Sequence, residues 1–160
     1  MKHSLNVGFS FGLTSGIITT LGLVIGLHSS TRQKLVVIGG ILVIAIADAL
    51  SDAMGIHISE EAESQHSQRE IWESTISTLV SKFFFSFLFV IPFLVFELSV
   101  AILVCIAWGL VLLTLFSIYL ARRQNIKPYK VIFEHLIIAI LVIILSHLVG
   151  DFLGRLGGFK

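Results

Sequence analysis

The sequence predicts an all-α integral membrane protein with five transmembrane helices, and three observations carry that prediction. Hydrophobic residues make up 56% of the 160-residue chain and charged residues only 13%, about half the charge of an ordinary soluble domain. Mean hydropathy is +0.98, and the apolar residues fall in blocks long enough to cross a bilayer, which takes roughly 20 residues per helix. The few charges gather at block ends and in one segment after the second block. The same composition excludes disorder, which needs low hydrophobicity. A net charge of +1 offers no footprint for a polyanion, so no nucleic-acid partner is expected. The single cysteine, Cys105, rules out an intramolecular disulfide and a Cys-based zinc site.

The first block, residues 5–27, is too long for a signal-peptide core. It is interrupted by Asn6, Ser10, Thr14, Ser15, Thr19 and Thr20 and lacks a small-residue cleavage site, so it reads as TM1. TM2 covers residues 35–58. The block 83–120 has 38 residues and as one helix would reach about 57 Å, nearly twice a ~30 Å hydrocarbon core. It must fold back, and Pro92 and Glu97 place the reversal within Phe96–Ser99. TM3 is therefore 81–96, TM4 99–120 and TM5 131–153. Five spans put the termini on opposite sides. Lys2, Arg69, Lys82, Arg122, Arg123, Lys127 and Lys130 fall on the N-terminal side, against Arg32, Lys34, Arg155 and Lys160 on the other. That bias predicts a multi-pass protein of the cell membrane with a cytoplasmic N-terminus and the C-terminus opposite.

Gly8, Gly12 and Gly16 recur every fourth residue on TM1, as do Gly22 and Gly26. TM2 repeats the device with Ala45, Ala49 and Ala53, and with Ala47, Ser51, Gly55 and Ser59. Such stripes let helix backbones approach closely. Two readings stand open: packing inside one chain, or close contact of TM1 with a second copy in a C2 homodimer, which would thicken a thin five-helix bundle. TM3 to TM5 show few small residues in register and read as lipid-facing or filler helices.

Asp48 and Asp52 lie four apart on TM2 and share a face. Each costs a few kcal/mol inside a membrane, so they are expected in a polar groove serving an ion or proton pathway. Their position favours the cytoplasmic half of TM2. The simpler alternative is hydrogen bonding to TM1 hydroxyls for packing alone. Two neighbouring carboxylates can share a proton, which suits exchange. Ser15 and Thr19, with Thr14 and Thr20, offer hydroxyls to the groove, although such groups often bond back to their own helix. Met54, a soft donor or a packing residue, and His57 follow on neighbouring turns.

Residues 59–80 contain neither Pro nor Gly, which predicts that TM2 continues as one acidic helix into the cytoplasm. On such a helix Glu60, Glu63, His66, Glu70 and Glu73 form a stripe. Carboxylates with imidazole suit Fe(II), Mn(II) or Zn(II), and Glu63 and His66 have the Glu-x-x-His spacing of carboxylate metal bundles. One helix cannot close such a site, so a partner helix or protomer is required; the alternative is a solvated acidic face. Trp72 reads as an interfacial anchor. Glu97 reads as solvated at its turn, Glu134 and His135 as neighbours of the basic 122–130 loop, and His147 with Asp151 as a pair at the far end of TM5.

Three segments resemble the vacuolar iron transporter (VIT) family. Residues 15–26, Ser-Gly-Ile-Ile-Thr-Thr-Leu-Gly-Leu-Val-Ile-Gly, resemble its TM1 motif Asp-Gly-(Ile/Leu)-Val-Thr-Thr-Phe. Residues 47–55, Ala-Asp-Ala-Leu-Ser-Asp-Ala-Met-Gly, resemble its TM2 motif. Ile91-Pro-Phe93 and Gly150-Asp-Phe-Leu-Gly154 follow in the same order. The resemblance implies a five-helix homodimer joined through TM1 and TM2, with the ion path between protomers. It also implies proton-coupled export of Fe(II) or Mn(II) from the cytoplasm and metal capture by the acidic segment. Three positions depart from the pattern: Ser15 replaces the TM1 Asp, Asp52 the TM2 Met, and Ile56 a following Glu. The segment between TM2 and TM3 is also shorter than the family's metal-binding domain.

The expected function is therefore proton-coupled transport of divalent metal as cargo, with no resident cofactor. Asp48, Asp52, Ser15, Thr19 and Met54 would line the path. Asp52, His57, Glu60, Glu63, His66, Glu70 and Glu73 would bind metal. The rival is a non-transporting relative that packs in a larger membrane complex, which the loss of the TM1 Asp and TM2 Met favours. An enzyme is not expected, because no nucleophile–base constellation and no His-Glu-x-x-His occurs.

Overall fold

The computed structural model describes residues 3–157, and every regular element among them is a helix: α1 (His3–Thr31), α2 (Lys34–Ala62), α3 (Gln68–Leu88), α4 (Val90–Val95), α5 (Leu98–Arg123) and α6 (Pro128–Leu156). Five stretches are long and apolar enough to span a membrane: α1, α2, Gln68–Val95 comprising α3 and α4, α5 and α6. Lys2 and Lys160, counted above for orientation, lie outside the described residues.

The helix ends follow local chemistry. Arg32 closes α1 with φ 53°, its N–H donating to the His28 carbonyl at 3.1 Å. Pro92 has no N–H and its ring would collide with the carbonyl four residues back, that of Leu88. There α3 stops, and Phe89 N–H turns to the Ser86 carbonyl at 3.1 Å. The chain reverses at Phe96 and Glu97. Pro128 occupies the first turn of α6, where a missing N–H costs nothing.

The single acidic helix expected over 59–80 does not form. After Ala62, where α2 ends, residues 63–67 turn, with Ser64 at φ 56°. A new helix then starts on a capping box: Glu70 N–H donates to Ser67 Oγ, while Ser67 N–H donates to Glu70 Oε2 at 2.9 Å. The Ser-x-x-Glu pattern at 67–70 is the physical reason, because it satisfies donors that a helix start otherwise leaves open. α2 and α3 therefore form an antiparallel hairpin.

Two compact units divide the chain: Met1–Thr20 with Ile41–Ile91, and Leu21–Gly40 with Pro92–Lys160. In the first, the glycine stripe of α1 lies against α3. A Cβ on Gly12 would stand 2.6 Å from the Thr78 carbonyl oxygen, and one on Gly16 3.1 Å from that of Lys82. The close approach lets Ser77 donate to the Leu5 carbonyl at 2.8 Å and Ser86 to the Gly16 carbonyl at 3.3 Å. So α3 is not merely lipid-facing: Ser74, Thr78, Ser81 and Ser86 are buried. In the second unit, a Cβ on Gly22 would meet Val142 at 2.7 Å, and one on Gly154 the Ser30 carbonyl at 2.9 Å. Ser146, Gly150 and Gly154 form a small-residue stripe on α6 that the sequence reading overlooked. Both glycine runs of α1 thus pack within the chain. On α2, Ala45, Ala49 and Ala53 are buried, whereas Ala47, Ser51, Gly55 and Ser59 are exposed, and a Cβ on Gly55 meets nothing within 4 Å.

Candidate functional site: a charged cluster at mid-span

The first unit holds a charged cluster. Lys82, expected at the cytoplasmic edge of TM3, has a fully buried side chain and is the fifteenth residue of the 28-residue span Gln68–Val95. That placement removes it from the count of loop charges used for orientation. Its Nζ lies 2.5 Å from Asp48 Oδ2, a close ion pair without the directionality of a hydrogen bond. It also donates to Asp52 Oδ2, and to Ser15 Oγ at 2.9 Å. The Ser15 hydroxyl donates in turn to Asp52 Oδ2 at 2.7 Å. Asp48 is the fifteenth and Ser15 the thirteenth residue of their own 29-residue spans, so the cluster falls near the middle of three helices rather than toward one end of α2.

Helix geometry explains the convergence. Asp48 and Asp52, one turn apart, present one face of α2, and buried Ala45, Ala49 and Ala53 keep that side of the helix thin. The hairpin sets the register opposite them. His57 Nδ1 lies 3.0 Å from Thr75 Oγ1, and Asp48 meets Lys82; both pairs straddle about residue 65. Gly12 and Gly16 then bring the α1 backbone close enough for Ser15 to reach both charges. A buried ammonium demands such partners, since a single unpaired charge in an apolar interior costs several kcal/mol. With every group ionised, two carboxylates and one ammonium leave the cluster at net −1. The Asp48 and Asp52 side chains are partly exposed, 30% and 21%, although Asp48 Oδ2, the oxygen that faces Lys82, is buried.

The other candidate residues lie elsewhere. Thr19 donates to the Ser15 carbonyl at 2.8 Å and does not reach the acids. Met54 is 54% exposed. The His57 ring packs edge-on to Trp72, with centroids 4.8 Å apart. The turn separates the expected acidic stripe. Glu60, buried at the end of α2, lies 3.9 Å from His66 Nδ1, and Glu63 3.4 Å from His66 Nε2. Glu70 belongs to the capping box, and Glu73 accepts from Arg69 Nε at 2.9 Å. Among the described residues, no group of three or more His, Cys, Asp or Glu side chains is arranged to hold a metal ion.

In the second unit, His147 Nδ1 lies 2.7 Å from Ser29 Oγ, Asp151 pairs with Arg155 at 2.8 Å, and His135 Nδ1 lies 2.8 Å from Ser117 Oγ. A cavity of about 270 Å³ is lined by His28, Ser29, Arg32, His147 and Asp151, with Leu98 and Ser99.

Lys82 is the member of the cluster that sequence reasoning does not supply. The Ser67–Glu70 capping signature was its available signal. A turn placed before residue 67 brings residue 82 opposite residue 48.

No curated protein and no solved structure gives a significant match to the chain. The model of the VIT family matches residues 9–73, a stretch that contains Ser15, Asp48 and Asp52 and stops short of Lys82.

Proposed function

We infer, from the membership in the VIT family that this match supports, that the chain is a multi-pass membrane transporter of metal ions. Its cargo on this reading is a divalent cation, Fe(II) or Mn(II), carried out of the cytoplasm against protons. The observation that carries the reading is the meeting of two acids, Asp48 and Asp52, with a single lysine at mid-span. Intramembrane acids facing a polar site mark ion pathways, and cargo sites of transporters commonly lie near the bilayer midplane. Carboxylate and hydroxyl oxygens are hard donors, which suits Mn(II) and Fe(II) better than soft ions. Asp48 and Asp52 would ligate the cargo, Ser15 would orient Asp52, and paired carboxylates would exchange protons for the cation. Glu60, Glu63, Glu70 and Glu73, around the α2–α3 turn, would concentrate cations at the cytoplasmic mouth. The open stripe Ala47, Ser51, Gly55 and Ser59 is the face offered to a second copy.

The test is metal flux into proteoliposomes. The native chain should move Mn(II) or Fe(II), and Asp52→Asn should abolish the flux while helix content is kept. Equal flux by native chain and variant would overturn the assignment. One observation favours the rival, a non-transporting membrane subunit: Lys82 already neutralises one of the two acids. Absence of flux from the native chain, together with its copurification with other membrane subunits, would select that reading.

A further inference from the structure

We propose that Lys82 is a tethered counter-ion that occupies the cation seat formed by Asp48, Asp52 and Ser15, and that it selects divalent over monovalent cargo. The inference rests on reading the cluster as the cation path. The ammonium is surrounded as a bound ion would be, with two carboxylate oxygens and one hydroxyl oxygen from two helices converging on Nζ. The side chain belongs to α3, beyond the residues 9–73 that match the family model.

Charge and chemistry say what such a tenant does. An ammonium fixed to the adjacent helix has an effective concentration that a dissolved ion must overcome. A monovalent ion brings the same single charge as the tenant and gains nothing by replacing it. A divalent ion neutralises both carboxylates and can displace it. Lysine also suits displacement better than arginine. It is a point charge on a flexible four-carbon stem, whereas a guanidinium would bridge carboxylates in a rigid fork. A displaced ammonium has acceptors within reach one turn away on its own helix, the hydroxyl oxygens of Thr78 and Ser86, both in buried residues. Each of these already donates its own proton to a carbonyl and keeps lone pairs to accept with.

The experiment measures Mn(II) binding to the purified full chain by the electron paramagnetic resonance signal of free Mn(II), at fixed pH and with increasing NaCl. Lys82→Gln and Lys82→Met should bind Mn(II) about tenfold tighter than the native chain, a difference of about 1.4 kcal/mol. Sodium should compete in these variants more than in the native chain. Lys82→Arg should lose Mn(II) binding. If Lys82→Met does not fold, Lys82→Gln decides, because it removes the charge and keeps a polar donor on α3. Equal or weaker binding by folded Lys82→Gln overturns the proposal. Flux by the native chain with an unchanged affinity in Lys82→Gln would sink this inference and leave the transport reading standing. Tighter binding without any native flux would keep Lys82 as the counter-ion of a cation seat and sink the transport reading, and with it the selection of cargo.

Discussion

Ser15 Oγ stands 2.9 Å from Lys82 Nζ although 67 residues separate them in the chain, and the same hydroxyl donates to Asp52. One serine thus ties α1 to both partners of the ion pair between α2 and α3. Its environment fits an acceptor for the ammonium and a donor to the carboxylate at once, a role that a hydroxyl can fill and an alanine cannot.

Placing a third carboxylate at this position should turn the cluster toward cation binding. Ser15→Asp sets three acids against one ammonium, and affinity for hard cations rises with the charge count of the ligands. Mn(II) should bind the variant about tenfold more tightly than the native chain, as read by isothermal titration. An unchanged dissociation constant would show that no cation sits between Ser15 and the two acids.

The two aspartates should not be equivalent. Asp52 accepts from both Lys82 and Ser15, whereas Asp48 is held by the Lys82 ion pair. Asp52→Asn should cost about 1–3 kcal/mol and Asp48→Asn less. Both fall below the usual cost of breaking a buried pair, because Lys82 keeps one carboxylate and the acids are partly exposed. Thermal unfolding in detergent checks the order, and a larger loss for Asp48→Asn would contradict it.

Glycines on α1 and α2 should respond oppositely to alanine. In a helix interior Gly→Ala gains roughly 1 kcal/mol of propensity. Gly12→Ala forfeits that gain, since the new Cβ would lie 2.6 Å from the Thr78 carbonyl oxygen on a packed backbone. Gly55→Ala meets nothing within 4 Å and should keep or raise the stability of a single chain. Gly55→Leu should, in turn, break the dimer that we propose for this face, seen as a loss of cross-linked species in membranes.

The start of α3 should depend on its cap. Ser67→Ala removes the acceptor for Glu70 N–H, a loss of about 1 kcal/mol for a helix N-terminus. Amide exchange over Gln68–Trp72 should quicken by about fivefold, given the factor of ten per 1.4 kcal/mol, while Mn(II) flux stays at the native level. Unaltered exchange would mean that tertiary packing alone holds this helix start.

Hydropathy and spacing determine much of this protein from the sequence alone. Five apolar spans, the fold-back before α5, and the shared face of Asp48 and Asp52 are all local properties, fixed by helix rise and period. The tertiary structure decided what those elements meet. A lysine at the edge of an apolar block reads as an interfacial charge until a partner is known, and Lys82 found its partners only through the register of the α2–α3 hairpin. That register depends on a five-residue turn with neither glycine nor proline, at residues 63–67, closed by a side-chain cap instead of a helix breaker. The glycine stripe of α1 had the same ambiguity. Close approach is written into its four-residue period, but whether a second copy or the hydroxyl-lined face of α3 fills it is a property of neighbouring helices. Backbone contact at Thr78 and Lys82 settled that in favour of α3.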